Sequence, residues 1–444
     1  MTRPQTSDHP AAPSGIALPG ALSLIITNMV GTGVFTSLGF QLVSLDQASS
    51  IVLLWGLGGL IALAGAAVYA ELGLTFPGSG GEFNFLSRIY HPVVGFLAGW
   101  LSTVVGFAAP IALSTIAFGA YVARVVPGVD ATAVAVAALA AVTLLHLRGV
   151  RQGVLTQQLF TVGILVVALL LLAARIATPR TISLSWSFSP EVFSAPFAVA
   201  LIYVEYAYSG WNSVAYFAGE VRDPTRSLPR ALLGGTSLVC LLYLALNLTF
   251  LASAPAEELR GQVEVAHIAA SHLLGPIGSR TMSVILAGVL LGSVSSMLFA
   301  GARLPATMAE TYPALAFLRR RNRAGSPTHA ILLQAGIALV MVVTGTFESV
   351  LTFVGFLLTV CTTLTVAGLF LVRRRGHSSE ASYRCWGYPF SPLLFLTVNL
   401  WMLSFLLRSR PTIAIAGTLV IAAGIPVWWW IRGSGVRTDP VRGR

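Results

Sequence analysis

The chain of 444 residues has no lysine: all 27 of its basic side chains are arginine. Charge of either sign is scarce, at 10% of residues against 55% hydrophobic, and the mean hydropathy is +0.81. A chain so poor in charge cannot cover a soluble globule with a hydrated surface, which excludes the soluble enzymes and the nucleic-acid binders that a net charge of +11 would otherwise suggest. Cysteine is equally sparse. Cys240, Cys361 and Cys385 stand at unrelated spacings and offer neither a disulfide framework nor a metal site. Without lysine no phosphate-binding Gly-Lys-Ser/Thr can exist. No His-Glu-x-x-His occurs, and the apolar runs hold one clear deep acid, Glu205, so an intramembrane hydrolase lacks its acid–base pair. The expectation is a protein that is not an enzyme and has no cofactor.

What the chain does have is apolar runs of bilayer length, which need roughly 20 residues per span. They predict an all-α membrane protein of about twelve helices: 16–43, 50–75, 93–124, 131–148, 153–175, 193–221, 229–253, 277–303, 328–346, 348–373, 388–408 and 411–431. Short tails, 1–15 and 432–444, flank a single transmembrane domain, 16–431. The first run lacks a small-residue cleavage site and reads as a retained span. Under this topology 20 arginines fall on the N-terminal side and 7 on the other, so the positive-inside rule puts both termini in the cytoplasm. Some attraction to anionic lipid follows. The expected location is a bacterial inner membrane.

Two of these runs are interrupted. Asn28-Met29-Val30-Gly31-Thr32-Gly33-Val34-Phe35 places two glycines mid-span, where freed backbone groups find no water. A close helix crossing on small residues would explain that stretch alone. The sixth span carries a second interruption, Tyr206-Ala207-Tyr208-Ser209-Gly210-Trp211-Asn212. If five helices form a repeat, the two breaks occupy corresponding positions, the pattern that points to a transporter's midplane site. N–H groups at one half-helix start suit a carboxylate, and C=O groups at the other half-helix end suit an ammonium. A zwitterion satisfies both.

Other features carry less. Phe76-Pro77-Gly78-Ser79-Gly80-Gly81-Glu82, followed by Phe83, Phe85 and Tyr90, reads as a re-entrant or interfacial segment or an ordinary loop. The charge cluster Gly219 to Arg230 reads as anchoring salt bridges, as does Glu71. Glu205 lies inside an apolar run beside the second break, where it could take up a proton, bind a cationic group or pair with an arginine. Glu257 to Leu274 is amphipathic and reads as an external interfacial helix. Ser295 and Ser296 at membrane depth either bond back to the preceding turn or supply hard oxygens for a small cation.

At these residues the chain resembles an amino-acid permease of the amino acid–polyamine–organocation (APC) superfamily, in the branch related to the light subunits of heteromeric amino-acid transporters. The similarity rests on Asn28 to Phe35, on Ala70-Glu71-Leu72 with Pro77 to Glu82, and above all on Tyr206 to Asn212 continuing to Pro229. Glu310-Thr311-Tyr312-Pro313 departs from the family's turn after helix eight. The resemblance implies two inverted five-helix repeats, about 16–175 and 193–373, with two added helices at about 388–431. It implies a substrate carboxylate at Gly31, Thr32 and Gly33, an amine at the carbonyls of Met29, Tyr206 and Ser209, Tyr206 as the aromatic cap, and Gly210, Trp211 and Asn212 forming and supporting the break. Many relatives place a Lys in helix five where sodium sits in other members of the fold; Ile164 aligns there. Gly292, Ser295 and Ser296 match the helix-eight pattern of sodium-coupled relatives, so Na+ there and H+ at Glu205 are the two candidate coupling ions, and uncoupled exchange is open beside them. The expected function is secondary transport of a neutral amino acid by alternating access, with the bilayer as environment and a partner subunit left open. A polyamine or other organocation is the alternative cargo. A channel or receptor is the distant alternative, and it gives no reason for two matched breaks.

Overall fold

The computed structural model describes residues 16–78, 80–149, 154–178, 190–376 and 383–433. The tail 1–15, most of the tail 432–444, Ser79 and the side chains of Gln157 to Thr161, Glu310 and Thr311 lie outside the described residues. The described residues are almost wholly helical, with only two isolated bridges, Ile16 to Val221 and Arg321 to Pro327.

The chain enters through α1 (Leu18–Met29), breaks, and resumes as α2 (Thr32–Gln41). α3 (Ala48–Thr75) follows, then α4 (Glu82–Ile89), α5 (Pro92–Leu101) and α6 (Ala108–Val125). A π turn at Ser102–Gly106 joins the last two. α7 (Ala131–Leu147), α8 (Val154–Ala177) and α9 (Ala195–Tyr208) come next, the last capped by Ser194, whose hydroxyl accepts from the Phe197 amide. A 3-10 stretch, Ser213–Glu220, separates α9 from α10 (Pro224–Leu251). The remainder is α11 (Ala256–Leu259), α12 (Val265–Gly301), α13 (Arg303–Thr311), α14 (Thr328–Thr344), α15 (Phe347–Arg374), α16 (Phe390–Ser409) and α17 (Pro411–Gly433).

Eight stretches among the described residues are long and apolar enough to cross a membrane: 18–41, 48–75, 92–125, 224–251, 265–305, 347–374, 390–409 and 411–433. Three shorter apolar helices, Ala131–Leu147, Val162–Ala177 and Thr328–Thr344, accompany them. α9 is shorter still, at 14 residues, because the second interruption ends it.

Several local expectations are met with adjustments. The glycine-rich stretch after α3 becomes a turn with positive φ at Gly78, Gly80 and Gly81, and it delivers the chain into α4, an amphipathic helix with Glu82, Phe85, Leu86 and Ile89 buried. The segment before span eight is helical from Val265 and kinks at Gly275 (φ 71°), ahead of Pro276. The cluster from Gly219 to Arg230 differs from expectation, since no ion pair forms within it among the described residues. It forms instead a backbone bridge, with the Ile16 amide donating to Glu220 (2.8 Å) and the Arg222 amide to Ile16 (2.9 Å), and α10 starts at Pro224. Glu71 does anchor: it accepts two bonds from Arg373 (2.6 and 3.0 Å) and one from the Cys385 amide (2.6 Å). The three cysteines are free.

Candidate functional site

The two interruptions meet. α1 ends at Met29, Val30 and Gly31 are extended, and α2 begins at Thr32. α9 ends at Tyr208, after which Ser209 is extended and Gly210 takes φ +97°, a conformation that disfavours any side chain. A Cβ on Gly210 would lie 2.5 Å from the Asn28 carbonyl oxygen, so the second break rests directly on the end of α1. A Cβ on Gly33 would lie 2.6 Å from the Cα of Ala207. The close-crossing explanation therefore applies to Gly33, and the broken-helix explanation to Val30 and Gly31. Tyr206 turns its phenol toward the Thr32 side chain.

Protein groups already attend the freed backbone. The Tyr243 hydroxyl on α10 donates to the Met29 carbonyl at 2.6 Å and lies beside the Gly31 amide. Tyr243 packs on Trp55 and Tyr208, whose rings stand 5.5 and 5.1 Å away, and the Tyr208 hydroxyl donates to the Trp55 carbonyl. This aromatic wall holds α1, α3, α9 and α10 together at the level of the break. Trp211 fills the space behind it, edge-on to Tyr69 at 4.7 Å and against Phe395 of α16. Asn212 donates to Glu82 at 2.6 Å.

Gly31, Thr32, Phe35, Ile164 and Ser293 contribute to one small cavity of about 10 Å³, room for about one water. Ile164 thus faces the break, where the resemblance aligns the family's lysine. Among the span-eight hydroxyls, the one on this cavity is Ser293, which pairs with Ser114 (3.3 Å). Ser295 is 2.7 Å from Nε2 of the buried His146, Gly292 is buried in α12, and Ser296 is also partnered.

Among the described residues, Glu205 has a buried oxygen, Oε1, with no hydrogen-bond partner, and no arginine pairs with it. Its neighbours fix its direction. Ile202 meets Gly355 of α15, Val204 and Tyr208 meet Gly58 of α3, and Glu205 falls between these faces, where α16 packs. On the buried face of α16, Asn399 is fully buried with both amide atoms unpaired.

Comparison with known proteins adds to this geometry. A family model described as amino acid permease matches residues 16–436. The chain belongs to the amino acid permease family. This permease is 26% identical over 432 residues to the serine/threonine exchanger SteT of Bacillus subtilis, covering 94% of this chain and 96% of that protein. It is 26% identical to Asc-type amino acid transporter 1 of Mus musculus, with 95% and 82% covered. It is 27% identical to large neutral amino acids transporter small subunit 2 of Oryctolagus cuniculus, with 96% and 83% covered. The permease is an integral membrane protein whose relatives are transporters.

The sequence reading missed Tyr243 and His146, and it named Glu82 only as the end of the glycine-rich stretch, with no role of its own. A polar residue inside or at the edge of an apolar run is the signal that could have raised each of them.

Proposed function

We propose that this permease moves a neutral amino acid across the membrane by alternating access, with the substrate held between the two interruptions. The observation that carries the reading is the direct apposition of Gly210 on the Asn28 carbonyl and of Gly33 on Ala207, which brings the start of α2 beside the end of α9. In this reading the N–H groups at Gly31, Thr32 and Gly33 receive the carboxylate at the start of α2. The carbonyls of Met29, Tyr206 and Ser209 receive the ammonium. Met29 and Tyr206 each already accept one bond, and a carbonyl has a second lone pair to offer. Tyr206 caps the site.

The finer architecture is part of the proposal: twelve spans, two inverted five-helix repeats and two added helices, with the face where α1 begins in the cytoplasm. So is the bacterial inner membrane. For coupling, the geometry favours H+ at Glu205 over Na+ at Ser295 and Ser296. Ser295 is engaged by His146, whereas Glu205 Oε1 has no partner. An organocation cargo would need a carboxylate for its second amine, and Glu205 lies on the α16 side of α9, opposite the Ala207 contact with Gly33, so the geometry supports that alternative less. One relative is named a small subunit, so co-purification of a second polypeptide is a direct check for a partner. Uptake of a panel of labelled amino acids and amines into proteoliposomes, with sodium and pH varied independently, tests the whole reading. Transport of a neutral amino acid supports it, and transport of polyamines alone selects the alternative.

A further inference from the structure

We propose that Glu82 is a positioning residue that latches the unwound end of the second interruption to the cytoplasmic floor, and that opening toward the cytoplasm requires the latch to release. The consequence for transport rests on the reading above; the geometry does not. Glu82 is the first residue of α4, buried at 3% exposure, and no cation pairs with it among the described residues. Its carboxylate collects three donors from three places in the chain. Oε1 accepts from the Tyr69 hydroxyl of α3 (2.8 Å) and from Asn212 Nδ2 (2.6 Å), and Oε2 accepts from the Tyr216 hydroxyl in the 3-10 stretch.

The glycines before it let the backbones close. The Gly80 amide donates to the Tyr216 carbonyl (3.2 Å), a Cβ on Gly81 would lie 2.6 Å from the Tyr216 ring, and a Cβ on Gly219 would touch Gly78. Asn212 and Tyr216 lie in the segment that joins the substrate site to α10. A buried acceptor held by hydrogen bonds and no fixed cation can be let go when the segment moves, because each donor can find water once the floor opens. The motif read as a re-entrant or interfacial segment or an ordinary loop is therefore the part that grips the unwound end of the second interruption.

Cys361 is a partly exposed cysteine on α15, a helix that packs on α4, and is a native reporter. The test is alkylation of the full-length permease by N-ethylmaleimide, read site by site by mass spectrometry, with Cys385 as the internal reference. Glu82→Gln and Tyr216→Phe should each raise the Cys361 rate about tenfold, a shift of about 1.4 kcal/mol in the opening equilibrium. The Cys385 rate should not change, and apparent affinity for substrate from the outside should fall by no more than about twofold, because the open state stays minor. A merely structural role would lower thermal stability without this split between sites. If Glu82→Gln does not fold, Tyr216→Phe, which removes one donor, decides the matter. Cys361 rates within twofold of wild type in the folded variants would overturn the latch. Labelling needs no substrate, so failure of amino acid uptake would count against the transport reading and leave these rates to judge Glu82.

Discussion

Gly210→Ala is the sharpest perturbation of the apposed breaks. The new methyl group would sit 2.5 Å from the Asn28 carbonyl oxygen, 2.7 Å from its carbon and 3.1 Å from the Met29 amide nitrogen. All three are backbone atoms and cannot rotate away, so the end of α1 must retreat by about 1 Å to reach ordinary contact. The alanine must also hold φ near +97°, which adds backbone strain of about 1–3 kcal/mol. If that strain falls on the substrate-bound geometry, affinity drops by about 5- to 150-fold. The assay is equilibrium binding of a labelled neutral amino acid to purified protein, with thermal unfolding measured alongside. Gly56→Ala is the control, since nothing lies within 4 Å of its Cβ position. Gly210→Ala with wild-type affinity and wild-type thermal stability would refute the apposition of the two breaks.

Three further outcomes are expected. Tyr243→Phe leaves the buried Met29 carbonyl without its donor and should lower stability by about 1–3 kcal/mol, seen as a lower midpoint in thermal unfolding; an unchanged midpoint would mean that another group takes over that carbonyl. If Glu205 must be protonated for transport, uptake should rise as external pH falls and Glu205→Gln should flatten that profile, so an unchanged pH profile in the variant would remove the proton role. Ser295→Ala, which loses the bond to His146, should cost about 1 kcal/mol in stability and leave any response of uptake to sodium unchanged; loss of a sodium response would restore Ser295 as a cation ligand.

How much was legible in the sequence depended on whether the signal was local. Both interruptions were readable because glycine inside an apolar run is itself the feature, and so was the amphipathic stretch before span eight, whereas the kink at Gly275, ahead of Pro276, was not foreseen. Partners across the fold were not readable. Met29 and Tyr243 are 214 residues apart, and Glu82 gathers residues from both sides of itself in the chain at separations of 13 to 134 residues. Hydropathy windows registered α9 and the stretch after it as one span, because a break of a few residues does not lower the mean. The charge cluster at Gly219 to Arg230 misled for a related reason: alternating signs suggested ion pairs, whereas Ile16, far away in sequence, supplied a backbone bridge. Gly33 shows the limit most clearly. Its position in the break was legible, but its close approach to Ala207 could be found only with the two helices in place.

The central claim is that a zwitterion is transported between the breaks. Its most direct measurement is counterflow of labelled neutral amino acids in proteoliposomes containing the purified permease, compared with Gly210→Ala. The wild type should accumulate at least one neutral amino acid, and the variant should lose accumulation to the degree that it loses binding. No movement of any amino acid by the wild type, or equal movement by both proteins, would contradict it.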